Sequence, residues 1–305
     1  MKHDTAWRTK VIIAFAAVYI IWGSTYLAIR IGVQQLPPAL FAGARFVAAG
    51  ILLALYARLS GQKFPADARE WRTIAVTGLL MLVGANGLVV WGEQWVASNQ
   101  AALIVATTAL WLAGFGVLGP RGQKLAPRTV LGLAIGFFGA ALLLLPEKGF
   151  TLEHFGAQLA VLMAAPAWAA GSIYAKRSQL STPPLMIAAF QSLIAGIVFC
   201  VIGLAAGETV QWNWSPHAMA ALAYLIVFGS CFAYAAYVWL LHEVSPAALG
   251  TYAYVNPLVA VVLGWLVLQE ALSAKQLAGM VVILLGVMLV SISRPRALAA
   301  PSPRT

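Results

Sequence analysis

Of the chain's 305 residues, 62% are hydrophobic and 9% charged, against roughly 25% charged in an ordinary soluble domain. A water-soluble fold of that make-up would aggregate, so the expected class is membrane-embedded. The formal net charge of +10 is no sign of nucleic-acid binding, because the Lys and Arg residues form no basic stripe interleaved with aromatics.

A helix needs about 20 apolar residues to cross a bilayer. The first charge-free run, 11–29, is expected to remain as a span: similar runs follow it, and no small-residue cleavage site closes a short apolar core. A second span is expected around 38–58, interrupted only by Arg45, followed by spans within 73–92, 94–120 and 129–146. Another five are expected within 155–175, 178–207, 209–241, 244–269 and 276–293, giving ten crossings in an all-α integral membrane protein.

The basic residues occupy alternate loops. Lys2, Arg8, Lys10, Arg58, Lys63, Arg69, Arg72, Arg121, Lys124, Arg128, Lys176, Arg177, Arg294, Arg296 and Arg304 share one side, leaving Arg30, Lys148 and Lys275 on the other. The positive-inside rule makes the first side cytoplasmic and with it both termini, which an even number of crossings requires independently. Cys200 and Cys231 fall inside spans, have the spacing of neither a disulfide framework nor a metal site, and are expected to pack as small apolar residues.

Shifted by about 147 residues, the sequence matches itself. Trp22, Gly23, Ser24 and Tyr26 correspond within one or two positions to Trp168, Gly171, Ser172 and Tyr174; Pro37 and Pro38 mirror Pro183 and Pro184; Gly50 mirrors Gly196. Ser98, Ala101, Leu125, Gly132 and Gly139 likewise correspond to Ser245, Ala248, Leu272, Gly279 and Gly286. Each half holds an odd number of crossings, five, so the second enters the membrane from the opposite face. Inverted repeats of this kind are a transporter architecture with a solute site near the midplane. The expected units are 1–146 and 155–293, joined by a short outer loop, with a disordered cytoplasmic tail at 294–305.

Ile21-Trp22-Gly23-Ser24-Thr25-Tyr26, Gly43-Ala44-Arg45-Phe46 and Tyr252-Ala253-Tyr254-Val255-Asn256-Pro257, in that order and spacing, strongly resemble the EamA family of the drug/metabolite transporter superfamily, over about residues 11–291. The resemblance implies a ten-helix, two-repeat exporter of small metabolites, such as amino acids or related compounds and in some members drugs, in a bacterial-type inner membrane. It also implies a central cavity between the halves. Two departures stand out. Leu110 occupies the repeat position of Pro257, so the fourth helix is expected to be straighter than the ninth, and Pro166 falls where the family pattern does not call for it.

Polar side chains within a span face the bundle interior or a water-filled cavity. The candidates for a cavity lining are Trp22, Ser24, Thr25, Tyr26, Asn86, Thr107, Thr108 and Trp111 in the first half. In the second they are Trp168, Ser172, Gln191, Ser230, Tyr234, Tyr237, Tyr252 and Asn256. The competing account is that Ser and Thr bond their own helix's carbonyls and the aromatics pack between helices. Arg45 and Glu93 stand at comparable depth, which allows an ion pair serving as outer gate, solute anchor or fixed structural contact. Pro257 removes a helix hydrogen bond and is a candidate hinge, with Asn256 placed to bond the freed carbonyl. Gly132, Gly136, Ala140, Gly279 and Gly286 are expected to permit close helix packing.

An enzyme is not expected. No zinc motif, phosphate loop or central Asp pair is present, and His3, His154, His217 and His242 lie in or beside loops. With no Asp or Glu at mid-span and Glu93, Glu243 and Glu270 at helix ends, facilitated diffusion or coupling through a rim acid is expected over a central proton relay. A channel-like facilitator is the alternative, disfavoured by the inverted repeat. No cofactor, metal or nucleic-acid partner is expected; the partners are a small solute, membrane lipid and, for a homodimer rather than a monomer, a second copy.

Overall fold

The computed structural model describes residues 2–96, 98–119, 122, 124–144, 154–268 and 273–292. They form ten helices: α1 Lys2–Val33, α2 Pro38–Leu59, α3 Ala68–Gly92, α4 as Ser98–Ala106 continued by Thr108–Val117, and α5 Pro127–Leu144. The second five are α6 Phe155–Ser178, α7 Pro184–Ala205, α8 Pro216–Glu243, α9 as Pro246–Gly250 continued by Tyr252–Leu268, and α10 Ala274–Ile292. Among the described residues, α1, α2, α3, α6, α7, α8 and α9 are long and apolar enough to cross a membrane, while α4, α5 and α10 give shorter apolar helices. The expected outer loop around 146–154, apart from His154, the tail at 294–305 and Glu270 lie outside the described residues.

Local sequence explains where the helices begin. Pro38, Pro184, Pro216 and Pro246 stand at the first turn of α2, α7, α8 and α9, where the missing N–H has no intrahelical partner to lose. Asp67 caps α3 by accepting from the Glu70 amide at 2.8 Å, and Ser245 caps α9 by accepting from the Ala248 amide at 3.2 Å.

Packing follows the repeat. α2 lies along α7 and α5 along α10, while the contact of α1 with α9 is mirrored by that of α6 with α4, and the contact of α1 with α8 by that of α6 with α3. Gly50 and Gly196 allow the α2–α7 crossing: a Cβ on Gly50 would sit 2.8 Å from the Leu193 amide nitrogen, and one on Gly196 2.5 Å from that of Val47. The halves are also stapled by two buried carboxylates. Glu70, at the start of α3, accepts from the Ser181 amide (2.6 Å) and hydroxyl (2.7 Å) and from Thr182 Oγ1 (2.6 Å) before α7. Glu208, after α7, accepts from the amides of Ala39 (3.3 Å) and Leu40 (2.7 Å) at the start of α2.

Two features depart from the sequence reading. α4 is interrupted at Thr107 and α9 at Thr251, where each threonine hydroxyl bonds a carbonyl of the preceding turn, Ile104 O at 2.8 Å and Ala248 O at 2.7 Å. Each break precedes the repeat position held by Leu110 in α4 and Pro257 in α9, and Pro257 sits inside a helix that runs on past it, as Pro166 does in α6. Residues Leu79–Asn86 of α3 and Leu225–Tyr234 of α8 are wound as π-helix at matching positions of the two repeats, a winding that recurs at functional sites.

Candidate solute cavity

Six helices line a cavity of about 80 Å3, below the roughly 300–1,000 Å3 of ligand pockets in general, which limits it to a small solute. α1 lines it with Trp22, Thr25, Tyr26 and Ile29, and α2 contributes Arg45. α3 adds Ala85, Asn86 and Val89; α4 adds Val105 and Thr108; α6 adds Ala164 and Trp168; α9 adds Tyr252. A second, larger hollow of about 440 Å3 between α4, α5 and α6 has only Thr107 and Gln158 as polar lining, so the polar and aromatic side chains are concentrated around the first.

An aromatic knot closes one end. The ring of Trp22 lies 5.5 Å from Trp168, 5.1 Å from Tyr237 and 5.3 Å from Tyr252, and Trp168 lies 5.2 Å from Tyr237. Edge-to-face and tilted contacts at these separations are attractive beyond simple burial. The Tyr237 hydroxyl is the polar hub, accepting from Trp168 Nε1 at 2.8 Å and sharing a hydrogen bond with Ser172 Oγ at 2.7 Å. Trp22 Nε1 donates to the Gly229 carbonyl within the π-segment of α8 (3.1 Å). Beside the knot runs a buried chain in which the Tyr234 hydroxyl donates to Gln191 Oε1 (2.7 Å) and Gln191 Nε2 donates to Thr77 Oγ1 (2.6 Å). The Tyr19 hydroxyl shares a 2.6 Å bond with Thr251 Oγ1.

Arg45 is 4% exposed. Its Nε donates to Ser230 Oγ at 2.9 Å, its guanidinium lies 4.8 Å from the Phe46 ring centre, and Nη1 is buried without a partner. Glu93 is fully buried, and neither carboxylate oxygen has a hydrogen-bond partner. The expected Arg45–Glu93 ion pair is therefore not formed: Arg45 reaches across to α8, whereas Glu93 closes α3 beside Arg30, whose Nη1 donates to the Glu93 backbone carbonyl.

Of the residues nominated from sequence, Trp22, Thr25, Tyr26, Arg45, Asn86, Thr108, Trp168 and Tyr252 share the cavity wall. Ser172, Gln191, Ser230, Tyr234 and Tyr237 are buried behind it in the hydrogen bonds just described. Four fall elsewhere. Thr107 sits at the break in α4 and lines the second hollow. Trp111 is 39% exposed on the flank of α4 against Phe115, because its helix turns the opposite face to the bundle. Ser24 bonds Ile21 O and the Tyr224 hydroxyl. With its amide nitrogen turned toward acceptors, Asn256 donates to Tyr19 O (3.2 Å) and Tyr252 O (3.0 Å), not to the Ala253 carbonyl that Pro257 frees. The sequence reading missed the apolar wall of Ile29, Ala85, Val89, Val105 and Ala164, since such residues look alike in lining and lipid-facing roles. It also left Arg30 as a loop charge, although its place one turn beyond Tyr26 was a usable signal.

A helical bundle of membrane-spanning length around a mixed aromatic and polar hollow, with no metal-binding cluster among the described residues, defines a membrane transporter. The EamA-like transporter family matches twice, over residues 9–145 and 155–292. The chain belongs to that family: it is a multi-pass inner-membrane transporter, not an enzyme. It is 40% identical over 282 residues to the uncharacterized inner membrane transporter YedA of Escherichia coli K12, covering 92% of this chain and 90% of that protein. It is 22% identical to the uncharacterized transporter YoaV of Bacillus subtilis, covering 91% and 95% of the two chains. A solved crystal structure at 20% identity superposes with a TM-score of 0.77 over 93% of this chain and 97% of that chain, a likeness of fold alone.

Proposed function

We propose that the protein is an exporter of small neutral or zwitterionic metabolites, working by alternating access through the cavity between two inverted five-helix repeats, 1–146 and 155–293, with both termini cytoplasmic. The odd helix count of each half, the alternation of basic loops and the twofold pattern of helix contacts support that topology.

On this topology the wall residues of α1 and α3 sit late in outward-running helices and Arg45 sits early in inward-running α2, while those of α4 and α6 lie near mid-helix and Tyr252 early in outward-running α9. The cavity then extends from the midplane toward the outer face of the membrane. The Tyr237 knot and the Tyr234–Gln191–Thr77 chain seal its cytoplasmic side. Arg30 and Glu93, which tie α1 to α3 at the far end, form the outer gate, and Pro257 serves as a hinge in α9. One observation carries the reading: a hollow lined by aromatic and polar side chains of both halves, backed by side chains that hydrogen-bond one another and so can part without breaking a helix.

The test is counterflow in proteoliposomes against a panel of amino acids, sugars and cationic drugs. Saturable exchange that Trp22→Ala reduces is the expected result. Single-channel conductance without saturation would instead make the protein a channel-like facilitator.

A further inference from the structure

The cavity wall contains two buried polar atoms of opposite character that nothing in the protein satisfies: Arg45 Nη1, a charged donor, and Asn86 Oδ1, an acceptor. Buried polar groups are nearly always paired, and each exception calls for an explanation. Arg45 cannot be explained as a snorkelling surface charge, since it is buried and fixed at Nε by Ser230. It cannot be explained as half of an ion pair either, because Glu93 stays unbonded beside Arg30. Nor does it supply the α2–α7 contact, which rests on Gly50 and Gly196.

Resting on the carrier reading above, we infer that Arg45 and Asn86 form a two-point recognition pair for solutes that bear a carboxylate next to an N–H donor, and that the cavity rejects organic cations. A guanidinium edge is matched in shape and charge by a carboxylate. Asn86 Oδ1 then accepts from the neighbouring ammonium or amide, and the faces of Trp22, Trp168 and Tyr252 favour a cationic nitrogen at short range. An α-amino acid is the simplest molecule meeting all three conditions. Among the described residues, Arg45 is the only charged side chain lining the cavity. A solute cation lacking a carboxylate therefore meets an uncompensated like charge inside a weakly polarisable enclosure, where such repulsion is little screened.

The experiment is counterflow in proteoliposomes with radiolabelled α-amino acids, each paired with its methyl ester and its deaminated acid, and with tetraphenylphosphonium as the cation. Wild type, Arg45→Gln, Arg45→Lys and Asn86→Leu are compared after each is shown to be monodisperse. The wild type should exchange its preferred amino acid about tenfold or more faster than the ester or the phosphonium, the penalty of leaving a built polar site unpaired. Arg45→Gln should abolish that preference and Arg45→Lys restore part of it. Asn86→Leu should raise KM for the amino acid while leaving the deaminated acid unchanged. Equal exchange of acid and ester by the wild type, or an undiminished preference in Arg45→Gln, overturns the recognition pair but leaves the carrier intact. No exchange of any probe overturns the carrier reading itself.

Discussion

Glu70 offers the sharpest test of what joins the halves. Its carboxylate, 6% exposed, accepts four hydrogen bonds, from the Ser181 amide (2.6 Å) and hydroxyl (2.7 Å), Thr182 Oγ1 (2.6 Å) and the Ala66 amide (2.9 Å). A hydrogen bond to a charged group contributes about 1.5–3 kcal/mol, but the four do not add. Ser181 and Ala66 are exposed and recover water when the carboxylate goes, whereas Thr182 stays buried. Glu70→Ala is therefore expected to destabilise by about 2–4 kcal/mol, one to two such bonds. That is a fall of roughly 3–6 °C in the melting midpoint of the detergent-solubilised protein, followed by intrinsic fluorescence. Glu70→Gln should fall between, and Thr182→Val combined with Glu70→Ala should add little to either alone, because the two share one bond. A melting midpoint within about 1 °C of wild type for Glu70→Ala would refute the reasoning.

Removing the hub hydroxyl with Tyr237→Phe leaves Trp168 Nε1 without its acceptor and Ser172 without its partner, at about 1–3 kcal/mol for the orphaned buried donor. A lower melting midpoint with a raised KM for solute is expected, as Trp168 loses its fixed orientation. Gly286→Ala would place a Cβ 2.7 Å from the Gly132 carbonyl oxygen and 2.7 Å from Gly136 Cα, backbone atoms that cannot swing aside. It should cost about 1–3 kcal/mol, whereas Gly114→Ala, where nothing lies within 4 Å, should leave the melting midpoint unchanged or raised.

The helices were legible from sequence because hydrocarbon demands unbroken apolar runs, and the repeat because Trp22 and Trp168, the proline pairs and the paired glycines survive in register. The cavity was legible in part. Trp22, Thr25, Asn86 and Trp168 advertise themselves as polar or aromatic groups at mid-span, and they do meet. Trp111 advertises itself equally and faces outward, since with apolar residues on every side of a span no moment tells lipid from neighbour. The π-segments of α3 and α8 leave no such trace: Leu79–Asn86 reads as ordinary helix in the sequence. Arg45 was visible, but its partner was not, because depth in the membrane fixes which charges are level and says nothing of azimuth.

The repeat register also states what the other conformation should look like. The register of the proline and glycine pairs, 146 in α2 and α7, carries Arg45 to Gln191, and a shift of about 147 carries Thr25 to Ser172 and Asn86 to Ala233, all three buried here. If the halves exchange conformations, these positions line a cytoplasmic cavity once the Tyr237 knot parts, and the charge of Arg45 is replaced there by a neutral carboxamide. A solute held by a cation on one side would thus meet a weaker site on the other, a difference of kind that biases affinity between the two faces without altering the fold. In a background with Cys200 and Cys231 replaced, a membrane-impermeant thiol reagent should label Thr25→Cys from outside. It should label Ser172→Cys and Gln191→Cys only from the cytoplasmic face of inside-out vesicles, at rates that a transported solute changes in the direction opposite to Thr25→Cys. Continued solute flux with Ser172→Cys and Gln191→Cys unlabelled from either face would mean that transport does not pass through the twofold-related cavity.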